Sequence, residues 1–523
     1  MQIRRLIFLT VILSCLTACL GPQATETPAV FASLVPQPTA QVTVHPQTER
    51  PNIILILTDD LDRLLGSTDY MPNLQRLMVQ QGLSLKNFFI TTPTCCPSRT
   101  TFLRGQYTHN HEIYTSSAVN GFQRFYLLNY DSSTLGTWLQ AAGYETIFLG
   151  KYLNGYPIRL DREYVPQGWN EWFSPSRGKP YTGFNYTLNV NGTLVPFDGQ
   201  PEHYLLDVLT TQMDEYIRAP QRANAPFFLF FSPYQPHEPA IPAPRHENLF
   251  TDLAAPRTAS FNEQDVWDKP AHVSSQPQLT AEQINDMDEL YRDRLRSMQS
   301  VDEMIAKMFA ALEASGQLDN TYIIFTSDNG YHLGQHRLFA GKSTAYEEDI
   351  NVPFVILGPN IPANVELDGY LTGNVDIAPT IAELAGVEPP SILDGRSLLP
   401  LFKPNPPAPQ DWRQAYLLEY YKNASDEDES AETEGVLEPA DPDATLKTSP
   451  TLAYHGLRTD QYLYVEYANG FVELYDMKID PDQLENIAST ADPQLLAALS
   501  AWLKDLYACK LDSCRQIESR PLP

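Results

Sequence analysis

Residues 51–57 read Pro-Asn-Ile-Ile-Leu-Ile-Leu, an almost unbroken apolar run that ends just before the acidic pair Asp59 and Asp60. A run without polar alternation is expected to be a strand buried on both faces, as in largely parallel sheets covered by helices. Residues 321–326 repeat the pattern and deliver Ser327, Asp328, Asn329 and Gly330. Apolar runs at 145–150 and 227–231 lead in the same way to Lys151 and to a proline-flanked loop carrying His237. Open α/β sheets place ligands outside the carboxyl ends of their strands, so these tips are expected to converge. Helical periodicity marks residues 203–218 and 281–313, the second stretch expected to bend near Ser300. The fold class that follows is α/β, with a large, mostly parallel central sheet flanked by helices over residues 50–405. Beyond the proline cluster at 404–407, alternating segments near Tyr464 and Phe471 and a helix from about Pro493 predict a smaller antiparallel sheet plus helix over 406–523.

Three carboxylates (Asp59, Asp60, Asp328) and the amide carbonyl of Asn329 form a hard oxygen set suited to Ca²⁺ or Mg²⁺; zinc would usually want His or Cys. Taken singly, Asp-Asp or Asp-Asn-Gly after a strand is more often a turn or a helix cap. Residues 95–105 supply the second half of the pattern. Pro97 suits the first turn of a helix, and residues 100–104 can continue it to Gly105. Cys95 then sits at a helix N-terminus, which favours anions, and Arg99 one turn later can return a planar fork of donors to the same spot.

The run Cys95-x-Pro97-Ser98-Arg99 followed by Leu103-x-Gly105 resembles the core motif of the type I sulfatases, of the alkaline-phosphatase-like superfamily. The resemblance spans roughly residues 50–515. It implies that Cys95 is oxidised by a formylglycine-generating enzyme to Cα-formylglycine, whose hydrate attacks sulfur with one oxygen and expels sulfate with the other. It also implies that Asp59, Asp60, Asp328, Asn329 and the modified Cys95 hold calcium, magnesium being the less favoured ion. Arg99, Lys151, His237 and Lys342 are the matching catalytic positions. The lysines would act on the sulfate, and His237 would serve a leaving group that needs a proton. Many sulfatases carry His two residues after the first lysine, where this chain has Leu153; the Gly150-Lys151-Tyr152-Leu153-Asn154 form resembles the N-acetylglucosamine-6-sulfatase branch, with Asn154 in a polar role. His336 is a further substrate-binding candidate. Residues 155–201 and 239–278 are expected to be loops at the substrate rim, where Tyr156, Trp169 and Trp172 stack either on sugar faces or in the core. Phosphonate monoester and phosphodiester hydrolases share this fold and metal arrangement and form an alternative reading. An inactive glycan-binding surface lipoprotein is another, although the complete set of ligands and cations argues against it.

Arg4 and Arg5 precede an apolar stretch over 6–16, too short to span a bilayer but right for a secretory signal. It ends in Leu16-Thr17-Ala18-Cys19, which looks like a bacterial lipobox. Residues 1–19 are therefore expected to be a lipoprotein signal, with Cys19 lipidated and residues 20–49, rich in Pro, Thr and Gln, a disordered tether. The expected location is the cell envelope, with the membrane engaged through the lipid alone. Of six cysteines, Cys15 leaves with the signal, Cys96 is a buried neighbour, and an exported compartment permits a Cys509–Cys514 disulfide. A net charge of −28 makes nucleic acid an unsuitable partner and favours short sulfated saccharides over dense polyanions. Part of that charge lies in the acidic segment 425–443, expected to be a solvated loop.

Overall fold

The strand Asn52–Thr58 is buried along its whole length and lies near the middle of a ten-stranded sheet. Its neighbours are Thr321–Ser327 on one side and Phe227–Ser232 on the other, both parallel to it. Glu145–Gly150 and Glu171–Gly178 extend the parallel block. A register that pairs Asn52 with Thr321 and Thr58 with Ser327 brings the two acidic tips level with each other. The edges are mixed. Tyr186–Val190 and Thr193–Phe197 add antiparallel strands at one end. At the other end Phe354–Leu357 runs antiparallel to its neighbours, followed by Leu83–Leu85 and Val365–Leu367. The structure, a computed structural model, describes residues 50–158, 161–219, 225–422 and 451–522. The signal with Cys19, the tether and the acidic segment 425–443 lie outside the described residues.

Two apolar layers cover the sheet, which is why its central strands lack polar alternation. One contains Phe102, Leu103, Trp138 and Ile381 from short helices. The other is built by Leu205–Arg218 and the long helix Ala281–Ala314, through residues such as Leu209, Met213, Met304 and Met308. The long helix opens on a capping box in which Thr280 and Gln283 exchange side-chain and backbone bonds. It runs through Ser300 without a break. Ser300 is buried, and the apolar positions Met298, Val301, Met304 and Ile305 keep one face on the sheet across it. Asp302 further pins the helix by accepting from the backbone N–H groups of Asn73 and Leu74.

A correction concerns residues 155–201. This region holds three strands of the central sheet, Glu171–Gly178, Tyr186–Val190 and Thr193–Phe197, rather than a plain rim loop. Trp172 is fully buried against Phe148, its indole N–H donating to the Tyr156 hydroxyl at 2.7 Å, and Trp169 packs beside them. These aromatics belong to the core. Their alternation was masked by Pro175, where the ladder with the next strand slips.

The C-terminal sheet orders Ala415–Tyr420, Tyr454–Thr459, Tyr462–Tyr467 and Val472–Asp476 as a simple antiparallel meander. Pro493–Tyr507 packs on it as a helix capped by Asp492, and the Cys509–Cys514 disulfide ties the segment after it to a further helix, Asp512–Glu518, which carries Cys514. Phe89, Tyr107 and Tyr346 from the larger region share the apolar cluster of this sheet. Among the described residues no helix is long and apolar enough to cross a membrane.

Candidate active site

Four strand tips and one helix N-terminus meet at the carboxyl edge of the sheet. Asp59 and Asp60 leave Asn52–Thr58, and Asp328 leaves Thr321–Ser327; all are buried. The two acidic turns are stitched together. The Thr58 carbonyl accepts from the Asp328 N–H at 3.1 Å, the Asp60 N–H donates to Asp328 Oδ1 at 3.0 Å, and the Leu61 N–H donates to Ser327 Oγ at 2.8 Å. Asp60 adopts φ 65°, a left-handed conformation uncommon for a non-glycine residue. Asn329 donates to Asp60 Oδ1 at 2.7 Å while its own Oδ1 is buried without a hydrogen-bond partner. An orphaned amide oxygen beside three carboxylates fits a hard cation, because exchanging the amide's two ends would aim oxygen at oxygen, an arrangement only a cation stabilises. Ligand atoms of Asp59, Asp60, Cys95 and His237 also lie within 4.8 Å of one another.

Cys95 opens a ten-residue helix, Cys95–Arg104, every residue of which is buried. Pro97 falls in the first turn and Gly105 closes the helix at φ 63°, where a β-carbon would strain the backbone. The Cys95 Sγ lies 3.4 Å from Asp59 Oδ1 and 3.8 Å from Asp60 Oδ1. Burial pushes this thiol up to about 12, so as a thiol it stays protonated and is a weak nucleophile near neutrality. One turn on, Arg99 donates to Asp328 Oδ2 at 2.7 Å, to the Lys151 carbonyl at 2.9 Å and to Ser232 Oγ at 2.7 Å. This single fork ties the helix to three strand ends, and its Nη2 remains without a hydrogen bond 3.5 Å from Asp59.

The two lysines rest on the carboxylates. Lys151 Nζ is 2.7 Å from Asp59 Oδ2, and Lys342 Nζ contacts Asp60 Oδ1 at 2.7 Å and Cys95 Sγ at 3.1 Å. Burial works against a charged Lys151, yet Asp59 outweighs it and holds the ammonium well above the ordinary lysine range. Burial likewise opposes ionisation of Asp59, but Lys151, His237 and Arg99 together keep it below the usual carboxylate range. His237 Nδ1 faces the Glu238 carbonyl at 2.8 Å and so carries hydrogen, and Nε2 points to Asp60 Oδ2 at 3.6 Å.

Asn154 stays close to the cysteine helix. Its backbone carbonyl accepts from the Phe122 N–H, and a β-carbon on Gly121 would touch both that carbonyl and Cys96 Sγ. His336 is placed elsewhere. Fully buried, it pairs with Glu263 at 2.7 Å and lies tilted against the Tyr346 ring, centroids 4.1 Å apart, and burial pushes it down to about 3. No contact joins it to the carboxylates, Cys95 or the lysines among the described residues. Four residues escaped the sequence reading. Ser98 donates to the Asp328 carbonyl, and Asn374 donates to Ser98 Oγ at 3.0 Å. Ser232 receives Arg99, and Tyr181 lies 4.6 Å from the His237 ring and 5.0 Å from Lys151 Nζ. Ser98 and Ser232 lay inside the motifs already singled out; Asn374 and Tyr181 carried no local signal.

Carboxylates, a helix-borne cysteine and the cations Arg99, Lys151 and Lys342 thus meet in one site. Residues 51–387 fit the family described as Sulfatase. The chain belongs to the sulfatase family. The sulfatase is 33% identical over 483 residues to N-acetylglucosamine-6-sulfatase of Homo sapiens, covering 90% of this chain and 86% of that one. It is 40% identical over 394 residues to a Sulf-1 homolog of Caenorhabditis elegans, covering 73% of this chain; it spans about half of that relative (54%). Its fold matches BT4656 in complex with its substrate D-glucosamine-2-N,6-O-disulfate, with TM-score 0.70, 24% identity, and 88% and 98% of the two chains covered. The chain is thus an enzyme that hydrolyses sulfate esters.

Proposed function

We propose that this sulfatase removes sulfate from short sulfated saccharides, of the N-acetylglucosamine-6-sulfate kind, using formylglycine formed from Cys95 and one bound calcium. The observation that carries the reading is the convergence of Cys95 with Asp59, Asp60, Asp328 and Asn329, ringed by Arg99, Lys151, Lys342 and His237. The likeness to N-acetylglucosamine-6-sulfatase supports the choice of sugar.

Asp59, Asp60, Asp328 and the Asn329 carbonyl would hold the calcium, which supplies Lewis-acid polarisation of the sulfate and the nucleophile. Formylglycine, when formed, supplies an oxygen nucleophile that can also release sulfate. With the carboxylates occupied by a cation, Lys151 and Lys342 are freed to donate to sulfate oxygens, and Arg99 keeps the helix N-terminus aimed at them. His237, with hydrogen fixed on Nδ1, uses Nε2 to carry the proton a sugar alkoxide needs on leaving. The walls of buried aromatics and strand ends exclude water, which strengthens each of these contacts. Export and lipid attachment through Cys19 complete the proposal, placing the enzyme at the cell envelope where sulfated glycans arrive.

The test is sulfate release from N-acetylglucosamine-6-sulfate in parallel with matched aryl sulfate and aryl phosphodiester substrates. The expected result is turnover of both sulfates and its loss in Cys95→Ala. Faster turnover of the phosphodiester would sink the assignment and favour a phosphonate or phosphodiester hydrolase.

A further inference from the structure

Arg294 sits in the middle of the long helix Ala281–Ala314, outside the ring of site residues, and is completely buried. Its guanidinium donates to the Asp60 carbonyl at 2.6 Å, to the Pro236 carbonyl at 3.3 Å and to Asp62 Oδ1 at 3.2 Å. It also lies 4.1 Å over the ring of Tyr331, whose hydroxyl bonds Glu238. One side chain therefore touches the turn carrying Asp59 and Asp60, the loop carrying His237, and the turn that follows Asp328 and Asn329.

Burying a guanidinium is costly, and replacing a buried ion pair by apolar packing is often neutral or stabilising. The pair with Asp62, itself buried and also held by Ser67, is thus poorly explained as a source of stability. A geometric role explains it better. Asp60 holds a left-handed backbone that persists only when its surroundings over-determine it. Its N–H is fixed by Asp328 Oδ1 and its carbonyl by Arg294, so the peptide groups on both sides are pinned and the carboxylate is turned toward Cys95.

We propose that Arg294 is a positioning residue: it holds Asp60 in its left-handed turn and sets the distance between that carboxylate and His237. The inference rests on the calcium reading above and is tested so that the two can fail separately. Arg294→Lys keeps the charge but cannot span three acceptors. Arg294→Met combined with Asp62→Asn removes both charges and guards against a variant that merely fails to fold. Each folded variant is expected to bind calcium on the order of tenfold to a hundredfold more weakly by calorimetry, in line with other outer partners of metal ligands. kcat is expected to fall with it while KM for the sulfated sugar changes little, and thermal stability of the double variant is expected to stay near that of the parent. A crystal structure of the metal-free double variant is expected to show Asp60 out of its left-handed conformation and His237 displaced. Unchanged calcium affinity and kcat, or an unmoved Asp60 and His237 in that structure, would overturn the inference. Failure of the parent protein itself to bind calcium would instead refute the metal reading, and the crystal structure alone would then decide the role of Arg294.

Discussion

Each side chain at the site is held by more than one element, so single substitutions should separate chemistry from scaffold. Lys342 reaches Asp60 and Cys95 from the loop that follows the strand Ala340–Gly341. Lys342→Ala is expected to lower kcat on a sulfate ester by about 10²–10³, the usual loss for one preorganised donor. His237 should show a dependence on leaving group. A proton carrier contributes about 10²–10⁴ where the leaving oxygen is a poor one. His237→Gln should therefore impair the sugar sulfate far more than an activated aryl sulfate, and equal losses on both would remove it from proton transfer. Gly330 tests close packing rather than chemistry. A β-carbon there would lie 2.0 Å from the Glu348 carbonyl, so Gly330→Ala must push apart the turn that holds Asn329 and is expected to cost about 1–3 kcal/mol in denaturation.

At the scale of elements, the C-terminal sheet does more than cap the chain. Tyr416 on its first strand donates to Asn374 Oδ1, and Asn374 holds Ser98 of the cysteine helix. Glu473 accepts from Tyr346, and Arg458 pairs with Glu347, bracing the stretch that follows Lys342. His109, just beyond the cysteine helix, joins the same sheet. Its Nδ1 faces Glu419 and its Nε2 faces the Cys509 carbonyl, both at 2.8 Å, and two acceptors require both ring nitrogens to carry hydrogen. Burial opposes that charge, but Glu419 outweighs it and pushes His109 up to about 9. A raised folded pKa stabilises fully below the unfolded value of 6.5, and the contribution is lost as pH climbs through about 9. The shift corresponds to about 3 kcal/mol. Denaturant stability is thus expected to decline across that window, and His109→Gln should flatten the decline; an unchanged slope would show that the pair is not the source.

For the whole molecule, the net charge of −28 sets how substrates arrive. Dense sulfated polymers should be repelled at low ionic strength, so kcat/KM on a polymer is expected to rise as salt screens the repulsion, while a monosaccharide sulfate stays nearly insensitive. Calcium at a hundredfold excess over its Kd should stabilise the fold by about 2.7 kcal/mol, reversed by chelation. The central sheet was legible because a strand buried on both faces leaves an unbroken apolar run, and Asp59, Asp328 and Lys151 mark where such runs stop. The Cys95 helix was legible through Pro97 and Gly105. Less visible was whatever depends on contacts between distant segments. Trp172 reads equally as a sugar platform or as core until Phe148 and Tyr156 are seen around it. The partners of His336, Glu263 and Tyr346, are likewise distant in sequence or unmarked by any motif.

The most direct measurement is the mass of the tryptic peptide spanning residues 87–99, taken from protein made in its native host and active on a sulfate ester. The expected mass is that of an aldehyde in place of the Cys95 thiol. An intact thiol at Cys95 in protein that still releases sulfate would contradict the proposed nucleophile.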